Sequence, residues 1–263
     1  MLRFWRRRQL RRQPLPAAWR QILEATVPPC RRLPQPLRQA FEQHVRVLLD
    51  EKHFEGCGGL EVTEVMRLTI AGYASLLLLR DPDGYYPRLG TVVIYPQSFA
   101  APIRDTDQLG IVTETVEERL GESWEEGTVV LAWDSIEALI RGASGDCNVI
   151  VHEFAHQIDA QRGLTGGGRL AALADRYGDW QEVLDAERRL RRSARRRGRP
   201  AVLDPYAFTS PEELFAVATE TFFMRPIRFQ AGHPELYAEL QAIFGLDPAR
   251  WLLDPPPPPT AQA

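Results

Sequence analysis

The chain has 263 residues, 44% of them hydrophobic and 25% charged, and a formal net charge of −3. These values suit a soluble globular protein with ample length for a core, and they exclude a chain kept unfolded by its charge or one whose overall field gathers nucleic acid. The three cysteines, Cys30, Cys57 and Cys147, form no Cys-x-x-Cys pair, which argues against a disulfide framework and fits a reducing cytosol.

The N-terminus sets Arg3, Arg6, Arg7, Arg8, Arg11 and Arg12 around Phe4 and Trp5. No apolar core of signal-peptide length follows; Pro14 and Pro16 come instead. Residues 1–16 read as a basic mobile arm. Such an arm can touch anionic lipid, but a frayed, solvated tail is the preferred reading. The run Leu76–Leu79 is far too short to span a bilayer, so no transmembrane segment is expected and the protein reads as cytoplasmic.

Residues 17–53 carry helical periodicity through Leu37, Phe41, Val45, Leu48 and Leu49, with Pro34 and Pro36 at its start. Gly56-Cys57-Gly58-Gly59 is a break. A second helix is predicted from Glu61 to Leu79, interrupted by Gly72, and Asp81-Pro82-Asp83-Gly84 is a turn. Leu89–Tyr95 and Thr128–Trp133 read as strands, with Ile111–Val116 a weaker third and Gly121–Trp124 in the loop between. Trp133–Ile140 is a short helix with Asp134 near its cap.

The next predicted helix, from Asp146 to Ala160, contains His152-Glu153-Phe154-Ala155-His156 among Val149, Ile150, Val151 and Ile158. On a helix, residues four apart share a face, so both imidazoles can meet one metal ion while Glu153 lies beside the open position. The five-residue pattern arises by accident in roughly one chain in a hundred of this length, so its surroundings must decide. A helix apolar on both sides is buried, and buried imidazoles and carboxylates must find partners. A metal supplies them at once. Cys147, close by, reads as a buried small residue.

Gly163–Gly168 reads as a flexible loop rather than a phosphate loop, since no Lys-Ser/Thr follows. Tyr177–Arg197 reads as a polar helix whose Arg-rich part, 188–199, is a solvated face; no direct nucleic-acid binding is expected. Pro211–Met224 is a strong helix, with Ser210 as cap, Pro211 at its first position and Glu212 and Glu213 in its first turn. Pro234–Phe244 is another, and residues 251–263 read as a Pro-rich disordered tail.

Two histidines rarely complete a catalytic zinc site, which has three protein ligands and a water. Among the rest, His44, His53 and His233 have no obvious partner. The helix at 211–224 is the better source. Glu213 and Glu220 share a face with Ala216 and Val217, so either carboxylate can reach the metal while the other orients a histidine. Tyr206 offers a phenol to an oxyanion, though a packed loop tyrosine is favoured on composition alone. Asp159 either accepts an N–H from a ligand histidine, caps the helix end, or is an ordinary surface residue.

Three blocks in order resemble a known family. Asn148 through Asp159, Gly121-Glu122-Ser123-Trp124 with Val129–Trp133, and Tyr206 through Glu213 to Val217 are together similar to the Mlc titration factor A family. These are zinc metallopeptidases with a catalytic core like that of anthrax lethal factor. Over residues 35–250 the resemblance implies one zinc ion per chain held by His152, His156 and Glu213, with Glu153 as general base and Tyr206 stabilising the transition state. It implies aminopeptidase-like cleavage of short peptides by Glu-assisted attack of zinc-bound water. It also implies an alternative: binding and sequestering a transcriptional repressor of sugar-transport genes, with peptidase activity secondary. Family members can carry an inhibitory histidine upstream of Gly-Glu-Ser-Trp; Ile111 to Arg119 contains none. The fold expected is α+β, a predominantly helical zincin-like metallopeptidase with a small sheet beside the motif helix. Its single domain spans 17–250, with an N-terminal helical part at 17–80 and a catalytic core at 88–250.

Overall fold

A computed structural model describes residues 2–106, 112–119, 121–124, 127–143, 147–160, 187, 189 and 202–251. The expectations for Gly163–Gly168, for the tail beyond Trp251 and, apart from Glu187 and Arg189, for the helix at 177–197 with its Arg-rich segment lie outside the described residues.

The first helix, α1 (Leu2–Arg12), forms where a mobile arm is expected. It runs antiparallel along α3 (Gln35–Glu51), held by arginine forks. Arg6 grips Asp50, Arg7 grips Glu51 at 2.6 and 2.8 Å, and Arg11 donates to the Tyr85 hydroxyl at 3.1 Å. The reason is tertiary: those partners lie far along the chain, beyond the reach of local pattern.

Helix α2 (Ala17–Thr26) and a 3-10 turn at Pro28–Arg32 precede α3, and α4 (Glu64–Leu76) follows it. Thr63 caps α4, accepting from Met66 N at 3.3 Å. Gly72 does not interrupt this helix. A Cβ there would meet Leu23 and Val27 at 2.8 Å, so glycine lets α2 lie directly on α4.

Strands β1 (His53–Gly56), β2 (Thr91–Tyr95), β5 (Gly121–Trp124) and β6 (Thr128–Ala132) form one sheet in the order β1-β2-β6-β5. The first three strands of that order are parallel, and β5 is antiparallel to β6, with Ser123 opposite Val129. Gly121–Trp124 is thus a strand and not a loop, at the edge of the sheet among the described residues; pairing with β6 decides it, where four residues carry little pattern. Strands β3 (Phe99–Thr106) and β4 (Val112–Arg119) form a separate antiparallel pair. The weak strand expected at 111–116 is the start of β4.

In β2, Val92 and Ile94 are buried while their neighbours are half-exposed, the alternation of a sheet with one packed face. Helices α5 (Trp133–Ile140) and α6 (Val149–Asp159) follow β6, and α6 packs on the sheet beside β5 and β6. The remainder is a 3-10 turn at Pro205–Phe208, then α7 (Pro211–Met224), α8 (Pro226–Gly232), α9 (Pro234–Phe244) and α10 (Pro248–Trp251). The result is a mostly helical α+β protein with a small, chiefly parallel sheet. No helix among the described residues is long and apolar enough to cross a membrane.

A buried tyrosine pair ties the N-terminal helices to α6. Tyr85 and Tyr86 both take positive φ, +28° and +47°, a region that non-glycine residues seldom adopt. Hydrogen bonds hold them there. Tyr86 donates to Ala74 O at 2.7 Å, and buried Lys52 donates to the carbonyls of Tyr86 and Leu89, each at 2.7 Å. The Tyr86 ring then meets Phe154 of α6 edge-on at 4.8 Å.

Tyr85 lies 2.9 Å from Nδ1 of buried His44, and burial lowers the pKa of that imidazole to about 3. An unfolded histidine titrates near ~6.5, so between these values the unfolded chain binds the extra proton. The contribution to stability is full above pH ~6.5 and is lost as pH falls towards the folded value. Urea midpoints should therefore drop from neutral pH to pH ~4, and His44→Phe should flatten part of that slope. An identical slope in the variant would show that His44 is charged in the fold.

Candidate metal centre

Helix α6 starts three residues later than expected because Asn148 caps it. Its Oδ1 accepts from Val151 N at 3.1 Å. The four-residue spacing puts His152 and His156 on one face, with Nε2 atoms 3.2 Å apart and rings edge-on at 4.8 Å. That face meets the first turn of α7. Ser210 caps α7, accepting from Glu213 N at 3.2 Å. A Glu three residues after such a cap often reaches back to it. Here the carboxylate turns to the histidines instead: Glu213 Oε2 lies 3.1 Å from His152 Nε2, and Oε1 lies 3.5 Å from His156 Nε2.

One ligand atom from each of His152, His156 and Glu213 lies within 4.8 Å of the others. The Nε2–Nε2 separation of 3.2 Å, and the nearest carboxylate contacts of 3.1 Å from Oε2 to His152 and 3.5 Å from Oε1 to His156, are close to the ~3.3 Å that separates ligands around a tetrahedral ion with bonds of ~2.0–2.1 Å. Glu213 Oε2 is buried and, despite its distance from His152, accepts no well-directed hydrogen bond among the described residues. A proton can serve only one edge of this triangle; a divalent cation serves all three corners. The residues present therefore fit a metal ion.

Charge points the same way. Burial by itself lowers the His152 pKa, but the carboxylates of Glu213 and Glu220 against its ring nitrogens, with Glu153 nearby, raise it to about 10. Burial opposes ionisation of Glu213, yet contact with His152 and His156 holds it down at about 2. Carboxylates thus outweigh cations here, and a bound divalent ion would take the place of the proton.

Glu220 has a different station from Glu213. It is buried, accepts from Asn148 N at 2.8 Å, and lies 3.6 Å from Nδ1 of His152, the nitrogen facing away from the triangle. It thus holds the start of α6 and sets a carboxylate charge behind the His152 ring. Glu220→Gln keeps an acceptor for Asn148 but loses the charge behind the imidazole. Metal affinity should fall about 10–100-fold with the melting temperature of the metal-free protein little changed. Unaltered affinity in a metal-competition titration would show that Glu220 only caps α6.

Glu153 is buried on α6 beside His152. Tyr206 sits in the 3-10 turn ahead of α7, held by Asp204, which accepts from Tyr206 N at 2.8 Å. The residue is 49% exposed and its ring centroid is 6.2 Å from that of His152. The phenol ring thus stands beside the triangle, and Glu153 adjoins the triangle through its neighbour His152. Cys147, expected to be buried, is exposed at the approach to this helix. Neither the cap role of Asn148 nor the Tyr86 contact to Phe154 was legible as part of the site, although an Asn just before an apolar helical run is itself a start signal.

The family of glucose-regulated metallo-peptidases M90 matches residues 2–245 of the chain. An uncharacterised protein of Synechocystis is 36% identical, over 93% of this chain and 89% of its own length. The Mlc titration factor A proteins of Yersinia pestis and Yersinia pseudotuberculosis are each 29% identical, over 92% of both chains.

Proposed function

The chain belongs to the glucose-regulated metallo-peptidase M90 family, and from that premise we propose that it is a zinc-dependent, aminopeptidase-like peptidase of the cytoplasm. One zinc ion would be held by His152, His156 and Glu213. The observation that carries the reading is the convergence of these three side chains beside a buried glutamate that is not one of them. Two imidazoles and one carboxylate are a donor set that zinc favours in catalytic sites. When bound, the ion supplies Lewis acidity, polarising a peptide carbonyl and making a water acidic near neutral pH.

The protein's own groups do the rest. Glu153 accepts the proton of the attacking water and returns it to the departing amine nitrogen. Tyr206, on a surface turn, donates its hydroxyl hydrogen to the oxygen on which charge develops. Glu220 holds His152 in the tautomer that leaves Nε2 free for the metal. Among the described residues strand β5 ends the sheet's order and packs against α6, so an extended peptide can pair along it and bring its carbonyl over the histidines.

The test is metal analysis of the purified protein together with cleavage of short chromogenic peptides, before and after chelation and zinc return. Cleavage that requires zinc and a free substrate N-terminus supports the reading. A metal-free protein that cleaves equally well, or equal cleavage of N-acetylated peptides, removes the zinc or the aminopeptidase part respectively. A second reading follows from the relatives named Mlc titration factor A: this chain binds and sequesters a repressor of sugar-transport genes, with hydrolysis secondary. Repressor binding that survives Glu153→Gln would separate it from the peptidase.

Tyr206→Phe should lower kcat about 10²–10³-fold with little change in KM, because its hydroxyl meets charge that exists only in the transition state. Unchanged kcat on several peptides would make Tyr206 a wall of the cleft and nothing more.

A further inference from the structure

We propose that the outward face of α1 is a membrane-docking surface that seats this protein on an anionic lipid bilayer. The helix contains six arginines and no acidic residue. It lies flat along α3, as an interfacial helix must. Its inner face is already engaged: Arg6, Arg7 and Arg11 are bound to Asp50, Glu51 and Tyr85, Arg11 also reaches Asp83 at 3.5 Å, and Leu10 packs on the core. At 100° per residue, Phe4, Arg8, Arg12 and Trp5 form a continuous face turned away from Arg6 and Leu10, with Phe4 next to Arg11 at its edge.

That outer face packs against no element among the described residues. Phe4 is 62% and Trp5 61% exposed, two large aromatics held in water. Arg8 and Arg12 make no ion pair among the described residues; Arg8 only rests over the Trp5 ring at 5.9 Å. Along the flank where this face borders α3 lies an open recess of about 320 Å³ lined by Phe4, Arg7, Arg8, Arg11, Arg12 and Gln43. Four guanidinium groups around one recess, two of them not matched by carboxylates, present a receptor for a phosphate headgroup. Aromatic rings beside it are the side chains that settle at the headgroup level of a bilayer.

The aromatic geometry favours lipid over single-stranded nucleic acid. Phe4 and Trp5 stand edge-on at 82°, so they form no parallel ladder on which successive bases stack. Insertion into a bilayer makes no such demand.

The experiment is co-sedimentation of the full chain, tagged at its C-terminus so that α1 is free. One set of vesicles is phosphatidylcholine alone; the other has equal parts phosphatidylcholine and phosphatidylglycerol. Binding to the mixed vesicles and not to the neutral ones is expected. Arg8→Glu with Arg12→Glu should reduce partitioning by on the order of 25-fold or more, taking roughly fivefold per arginine at an anionic surface. Neither side chain is bonded to a carboxylate among the described residues, so this variant should melt as wild type does. Phe4→Ala with Trp5→Ala should also weaken binding, most visibly at high salt, where the arginine attraction is screened. The proposal is overturned by equal binding to neutral vesicles, by no binding to either, by full binding in both variants, or by an oligonucleotide that binds more tightly than the mixed vesicles.

Discussion

Glu153→Gln should keep its zinc and lose peptide hydrolysis by several orders of magnitude. The substitution preserves size and shape at a buried position of α6, between His152 and Phe154, so the helix has no reason to move. Glu153 is not among the three side chains that converge, so zinc content should stay at one per chain. What changes is the ability to take a proton. A positioned base contributes about 10²–10⁴-fold, and where the same carboxylate also returns the proton to the amine both transfers fail together. The expected signature is a collapse of kcat with the zinc signal intact. Stoichiometric zinc with near-wild-type turnover would end the mechanism proposed for Glu153. Loss of zinc in this variant would instead make Glu153 a ligand and break the assignment of Glu213.

The sequence was most legible where local chemistry and tertiary role coincide. Ser210, Pro211, Glu212 and Glu213 announce the start of α7 through cap, ring and charge, and the structure begins that helix at Pro211. The pairing of His152 with His156 needs only the helical period. The choice between Glu213 and Glu220 is another matter. Seven apart, they share a face, and periodicity cannot rank them. What separates them is where along α6 each one arrives: Glu213 at the Nε2 atoms, Glu220 one helical span further at Asn148 N and the back of His152. The same limit hid α1 and β5. Arg7 finds Glu51 44 residues away, and Gly121–Trp124 becomes a strand through its ladder with β6. Neither partner is visible in a local window. The doubled positive φ at Tyr85 and Tyr86 was hidden for a related reason: Lys52 stabilises it from another element.

His156→Ala should lose most of its metal, and with it both hydrolysis and the stabilisation that zinc gives. The variant removes one corner of the triangle and leaves an imidazole and a carboxylate 3.1 Å apart. Two protein ligands hold zinc far more weakly than three, so dialysed protein should carry little. Heat reads the same loss without any assay of activity. A ligand that binds only the folded chain stabilises it by about 2.7 kcal/mol at a hundredfold excess over its Kd. Wild type should therefore melt at a higher temperature with added zinc, and His156→Ala should not shift at the same concentration. Glu153→Gln is the control, because it should keep the full zinc-dependent shift while turning nothing over. His156 is partly exposed, with side-chain accessibility of 18%, so truncating it should cost the metal-free fold little and the comparison stays clean. If His156→Ala retains one zinc per chain and melts with the wild-type shift, the ion is bound elsewhere, and the triangle of His152, His156 and Glu213 is a protonated polar cluster.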